Sequence, residues 1–177
     1  RALGCQKGLR PAIVDTTAGL GGDLSVLANI GCQVLAMERH PVIAALFNDA
    51  LRRAHEAEIP WCDRVNFRHT DSTEVVSGVS HGVIYLDPMF PKERKASPSL
   101  SKQVLHTLLD ETESADRLLE AALDSDAARV VVKRPLKAEI LGGKVPSSQI
   151  KGKTIRFDLY PKRKLIETDR FPHHEVA

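Results

Sequence analysis

Short apolar runs alternate with amphipathic stretches along most of this chain, and that alternation decides what it can fold into. Residues 12–15 (AIVD), 33–37 (QVLAM), 83–86 (VIYL) and 130–132 (VVV) read as strands, with 65–69 (VNFRH) a weaker one. Near-continuous apolar runs of this length suit strands buried on both faces. Between them, 23–29 and 41–57 carry helical spacing, with Gly31 as a stop and Pro41 at a helix N1 position. Further helices are expected around Leu100, Val104, Leu105 and Leu108, and around Leu118, Leu119 and Leu123. Residues 149–151 and 154–160 flank Gly152 as a closing hairpin. The rhythm predicts an α/β fold: a doubly wound, Rossmann-like sheet, mostly parallel, closed by an antiparallel hairpin. Residues 12–160 make up this domain; 1–11 read as the remnant of an N-terminal segment and 161–177 as a tail.

Composition narrows the class. Apolar residues are 42% and charged residues 27% of the chain, a globular balance that excludes a disordered or collagen-like chain. The apolar runs are too short to span a bilayer, so no membrane partner is expected. No charged-then-apolar leader precedes the first strand, and Cys5, Cys32 and Cys62 form no CxxC pair. A cytoplasmic location without disulfides or structural zinc is therefore expected, and the seven histidines show no metal spacing. A chain that begins at Arg1 without Met is expected to lack part of an N-terminal region. The net charge of +2 conceals an asymmetry: −5 over 1–128, +9 over 129–164 and −2 over 165–177. The basic block reads either as the footprint of a polyanion or as a solvated surface.

The segment from Asp15 through Gly19, Gly21 and Gly22 to Asp23 joins the first strand to the first helix. Glycines there permit a tight turn and close approach of a ligand at the carboxyl edge of the sheet. A dinucleotide fingerprint wants a third glycine where Leu24 stands. The D-x-x-x-G-x-G pattern instead suits S-adenosylmethionine (SAM), which has no pyrophosphate to cradle. Glu38 ends the second strand, where an acid accepts hydrogen bonds from ribose hydroxyls, and Arg39 follows it to lie along an adenine. Asp71 and Ser72 follow the third strand and are candidates for the adenine amine, although both types also begin turns and helices.

Asp87-Pro88-Met89-Phe90 terminates the fourth strand. It is one residue away from the Asp/Asn-Pro-Pro-Phe/Tyr motif of amino-group methyltransferases. An exocyclic base amine is a poor nucleophile because its lone pair is delocalised into the ring. A carboxylate (Asp87) and a carbonyl (Pro88) can accept its two N–H groups and favour a pyramidal nitrogen. Phe90 is the expected platform for a base swung out of its stack. Lys133 and Arg134 follow the fifth strand as candidate phosphate contacts, and Lys92 and Lys95, with Arg94 and Lys102, flank the Asp87 loop as candidate RNA contacts.

Taken together, VDTTAGLGGD, ANIGCQVLAMERHPVIAALFNDAL, VIYLDPMFP, RVVVKRP and RFDLY resemble the ribosomal RNA small subunit methyltransferase J family over most of the chain. The resemblance implies a class I SAM-dependent fold, with SAM as cofactor and S-adenosylhomocysteine as product. It implies methylation of a guanine N2 amine near the 3′ end of 16S rRNA, as naked rRNA or within the small ribosomal subunit. It places SAM contacts at Gly22, Asp23, Glu38, Arg39, Asp71, Ser72 and Asp87. The family often has Arg at position 22 and Ser at position 71, where this chain has Gly and Asp. Alternatives from the residues alone are methylation of adenine N6, cytosine N4 or a glutamine amide, a SAM- and RNA-binding module without turnover, and a nicotinamide-dependent reductase.

Overall fold

The computed structural model describes residues 1–6, 8–88 and 112–170. Among them are seven strands: β1 (Ile13–Asp15), β2 (Val34–Glu38), β3 (Val65–His69), β4 (Val83–Leu86), β5 (Arg129–Pro135), β6 (Ser148–Lys151) and β7 (Ile155–Pro161). They form one sheet in the order β3-β2-β1-β4-β5-β7-β6. The first five run parallel, and β7 pairs antiparallel with both β5 and β6. The helices are α1 (Gly22–Asn29), α2 (Pro41–Glu56), α3 (Ser72–Val75) and α4 (Thr112–Asp124). None of the described helices is long and apolar enough to cross a membrane. Met89, Phe90, the basic residues from Lys92 to Lys102 and the helix expected around Leu100–Leu108 lie outside the described residues.

Alternation along each strand sends side chains to two faces, and each face is covered. Ile13, Ala36 and Tyr85 pack with Leu24, Ala28, Phe47 and Leu51 of α1 and α2. Val14, Leu35, Ile84, Leu86, Val130 and Val132 pack with Leu118, Leu119 and Ala122 of α4 on the other. The direction of winding reverses between β1 and β4. Such a switch point opens a crevice at the carboxyl ends of the strands.

The opposite edge is closed from far along the chain. Asp169, wholly buried in the 3₁₀ turn Glu167–Arg170, accepts from Gly82 N at 2.7 Å, Ile166 N at 2.8 Å and both terminal nitrogens of Arg163 at 2.8 Å. Its carbonyl accepts from Ala12 N at 2.6 Å. Burial opposes its charge, yet Arg163 and the two backbone donors hold the carboxyl down at about 2.

Beside β5, the buried Arg156 pairs with Asp158 at 2.9 Å and donates to the carbonyls of Pro135, Leu136 and Ala138. This fixes the loop that leaves the carboxyl end of β5. Cys5 and Cys32 are free thiols 3.4 Å apart.

Candidate active site

The carboxyl ends of β1, β2, β4 and β5 open into a cleft of about 380 Å³, within the range of small-molecule sites. Asp15, Gly19, Gly22 and Asp23 line it from the first loop. Glu38 and Arg39 line it after β2, Asp71 and Ser72 after β3, and Asp87 and Pro88 after β4. The structure thus brings together residues spread over most of the domain.

Each is held by specific contacts. Thr17 N donates to Asp15 Oδ1 at 3.1 Å. Glu38 accepts from Gly19 N at 3.0 Å through Oε2 and from His40 N at 2.8 Å through Oε1. Each oxygen keeps further acceptor capacity at the cleft edge. Asp71 caps α3 by accepting from Thr73 N at 2.9 Å, and the Ser72 hydroxyl donates to Thr16 O at 2.8 Å. Arg39 reaches across to the Ser114 hydroxyl of α4 at 2.7 Å. The ends of β1 and β4 are joined by hydroxyls: Thr16 donates to Tyr85 O at 2.9 Å, and Thr17 Oγ1 accepts from Asp87 N at 2.7 Å.

The three glycines of the loop do different work. Gly19 lines the cleft with φ +54°. A Cβ on Gly22 would meet nothing within 4 Å, so this position leaves open space beside the cleft. Gly21 is not among the residues lining the cleft. It stands before α1 with φ +83°, and a Cβ there would come within 2.5 Å of the Phe47 ring. Its glycine serves the left-handed turn and the close packing of Phe47 beneath it.

Lys133 and Arg134, expected at phosphates, lie elsewhere. Lys133 places its Nζ 2.6 Å from Asp23 Oδ2 and 2.9 Å from Asp87 Oδ2. Arg134 is buried and donates to Glu139 O at 2.7 Å, which is where a guanidinium goes when the strand turns its side chain inward. Tyr85, also unforeseen, donates its hydroxyl to Asp23. The two threonine hydroxyls and α4 residues Ser114, Ala115 and Leu118 are further parts of the site that sequence reasoning missed. Only the Thr16-Thr17 dipeptide inside the glycine loop carried a signal.

The charge of the cleft selects its ligand. Carboxylates of Asp15, Asp23, Glu38, Asp71 and Asp87 line it. Asp23 occupies the first turn of α1, where a pyrophosphate would otherwise sit. An anionic dinucleotide is repelled there, whereas a ligand carrying a sulfonium and an ammonium is complementary, so the residues present fit SAM. Burial pushes the Asp15 carboxyl up to about 7, with Thr17 N opposing and Asp87, Asp23 and Glu38 adding to the rise. Burial and the nearby Asp87 and Asp23 also raise the Tyr85 hydroxyl, so it stays protonated.

A second cluster lies at the far end of α2, where His55, Cys62 and Asp63 each bring one atom within 4.8 Å of the others. They engage one another and the backbone: His55 Nδ1 is 3.2 Å from Cys62 Sγ and 3.4 Å from Asp63 Oδ1, and Cys62 donates to Ile59 O.

Comparison with known proteins agrees with this geometry. A family model described as "Putative SAM-dependent methyltransferase" matches residues 1–162. Proteins named ribosomal RNA small subunit methyltransferase J from Shewanella amazonensis and Dechloromonas aromatica are 46% and 45% identical to it. These matches cover 92% and 93% of this chain and 68% and 70% of those proteins. The protein of that name from Idiomarina loihiensis is 44% identical, over 95% of this chain and 66% of its own. The chain spans about two thirds of the length of these curated relatives. A SAM-dependent methyltransferase crystal structure from Neisseria gonorrhoeae superposes with a TM-score of 0.69 at 33% identity, over 90% of this chain and 68% of that one. An RNA methyltransferase from Salinibacter ruber, solved with S-adenosylhomocysteine, gives 0.56 at 16% identity, over 91% of this chain and 86% of that one, a likeness of fold.

Proposed function

Because this chain belongs to the SAM-dependent methyltransferases, and among them to the ribosomal RNA small subunit methyltransferase J family, we propose that it methylates a 16S rRNA guanosine at N2. The target lies near the 3′ end, in naked rRNA or the small ribosomal subunit, and the setting is the bacterial cytoplasm. The observation that carries this reading is the Asp87-Pro88 turn, pinned by Thr17 at the mouth of an acidic cleft.

The cofactor, when bound, supplies an electrophilic methyl group on a sulfonium. Asp15, Gly19, Gly22 and Asp23 would hold its amino-acid end, Glu38 its ribose, and Arg39, Asp71 and Ser72 its adenine. The carboxylates attract its positive charge and exclude phosphate. The Asp87 carboxylate and the Pro88 carbonyl accept the two N–H bonds of the guanine amine. They draw the nitrogen out of the ring plane, which frees its lone pair and aims it. Phe90, next in sequence but one, supplies the stacking platform for the base, and Lys92 and Lys95 contact the RNA backbone. The acidified amine proton can pass to water after transfer, so no strong base is needed.

Nucleoside mass spectrometry after incubation with SAM and unmodified small subunits, or naked 16S rRNA, tests this reading. New N2-methylguanosine at one site is expected. Asp87→Ala is expected to lower its formation by about two orders of magnitude or more, the scale of losing a positioned acceptor. Unchanged turnover in that variant removes Asp87 from the chemistry. A different methylated nucleoside moves the activity to adenine N6 or cytosine N4.

A further inference from the structure

Asp87 is part of a chain of polar contacts that ties three elements together. Lys133 of β5 sends its ammonium to both Asp87 Oδ2 and Asp23 Oδ2, and Tyr85 of β4 donates to that same oxygen of Asp23. The lysine side chain is 21% exposed, so little water competes for its charge. We propose that Lys133 is a positioning residue for methyl transfer: by bridging Asp87 to Asp23 it holds the Asp87 carboxylate charged and in one orientation to receive the substrate amine. The inference rests on the amine-methylation reading above.

The charges around Asp87 explain the need. Asp15 of β1, Asp23 of α1, Glu38 of β2 and the Tyr85 hydroxyl line the cleft with it, and Asp87, Asp23 and Glu38 all act on the charge of Asp15. Arg39 also lines the cleft but extends to Ser114. Lys133 touches Asp87 directly, its Nζ 2.9 Å from Asp87 Oδ2. Without it, the like charges of Asp15 and Asp23 would weigh more heavily on Asp87, and neighbouring carboxylates push a carboxyl up. A protonated Asp87 is a weak acceptor for an amine N–H. Lysine suits the task because its compact ammonium can serve two separate carboxylate oxygens at once. Burial works against its charge, but Asp23 and Asp87 hold its proton more firmly than usual, so Lys133 does not serve as the base.

The bridge also predicts opposite effects on two ligands. The cofactor carries one net positive charge, so removing the Lys133 charge raises the net attraction of the cleft for it. Removing it does impair the acceptor. The test compares wild type, Lys133→Met and Lys133→Arg by three readouts: carboxyl NMR titration of Asp87, calorimetric SAM affinity, and the pH profile of methyl transfer. In Lys133→Met, Asp87 should titrate at higher pH, and the acid limb of the profile should move with it. The loss of rate at pH 6 should exceed the loss at pH 8 by about tenfold or more. SAM affinity should be unchanged or tighter, and Lys133→Arg should restore the acid limb. An Asp87 titration identical in wild type and Lys133→Met overturns the inference. So does a rate lost equally at every pH together with weakened SAM binding, the mark of a purely structural residue. The NMR titration needs no turnover. Absence of any methylated nucleoside with wild-type protein therefore overturns the functional reading instead, and the two failures are distinct.

Discussion

Asp15 shows at the scale of a single residue how a ligand site is maintained against the stability of the fold. Its carboxyl is buried, and its folded value near 7 lies well above the ordinary 3.8. The folded chain therefore holds this proton more tightly than the unfolded chain does. Stability from this group is complete below the ordinary value and is lost as pH rises through about 7. Asp15→Asn keeps an oxygen for Thr17 N and removes the charge. It should raise the melting temperature at pH 8 by about 4 °C or more, since a few kcal/mol is at stake and each is worth roughly 2–4 °C in a domain of this size. At pH 5 the gain should be much smaller, and SAM should bind more weakly to the variant at pH 8. Thermal unfolding at the two pH values decides; an equal gain at both removes the charge explanation. The positions of Asp15, Glu38 and Asp87 were legible because each ends an apolar strand, and ligands gather at such ends. The partnership of Lys133 with Asp23 and Asp87 was not, since a lysine after a strand carries no mark of which distant carboxylate it will meet.

Glycine placement governs the first loop and the helix that leaves it. Gly21→Ala must force a side chain into the left-handed region and push a Cβ into the Phe47 ring. The conformational penalty is about 1–2 kcal/mol and the overpacking about 1–3 kcal/mol, so roughly 2–5 kcal/mol should be lost. Gly22→Ala begins α1 and meets open space, so it should be neutral or stabilising by up to about 1 kcal/mol. Denaturant unfolding of the two variants separates packing glycine from permissive glycine. Two equal losses would contradict this division. The sequence marked the loop as a glycine turn, but nothing local told which glycine serves the ligand and which serves a ring on α2. Elements were legible for a similar reason. Apolar runs announce buried parallel strands, so β2 and β4 stand within a residue of their expected bounds. β5 extends well past its apolar centre because pairing with β7 carries Lys133, Arg134 and Pro135 in the ladder, and pairing leaves no hydropathic trace.

At the scale of the whole molecule, the basic block of 129–164 does not form one footprint. Arg134 and Arg156 are buried, Lys133 faces the cleft, and Arg129 donates to Ala2 O. The antiparallel register sets Ile155 opposite Pro135 and Pro161 opposite Arg129. Exposed Lys151 and Lys153 therefore stand at the cleft end of the hairpin, while exposed Lys162 and Lys164 lie at the other end, about 20 Å away by strand rise. Replacing Lys151 and Lys153 by Ala should weaken rRNA binding and reduce its salt slope by about 1.5–2. Replacing Lys162 and Lys164 should leave both unchanged. Binding measured over a salt series checks this, and equal effects from the two pairs would refute the division. The Asp169 clasp has a further consequence, in the order of synthesis. Ala12 and Gly82 both precede Asp169 in synthesis, so their N–H groups at the lower rim of the sheet find this partner only when residue 169 arrives. A nascent chain exposes those donors to water until then. The seal on β1 and β4, neighbours in the middle of the sheet, is thus made by a residue far downstream of both, so the centre of this sheet is completed only once its distal turn has been made.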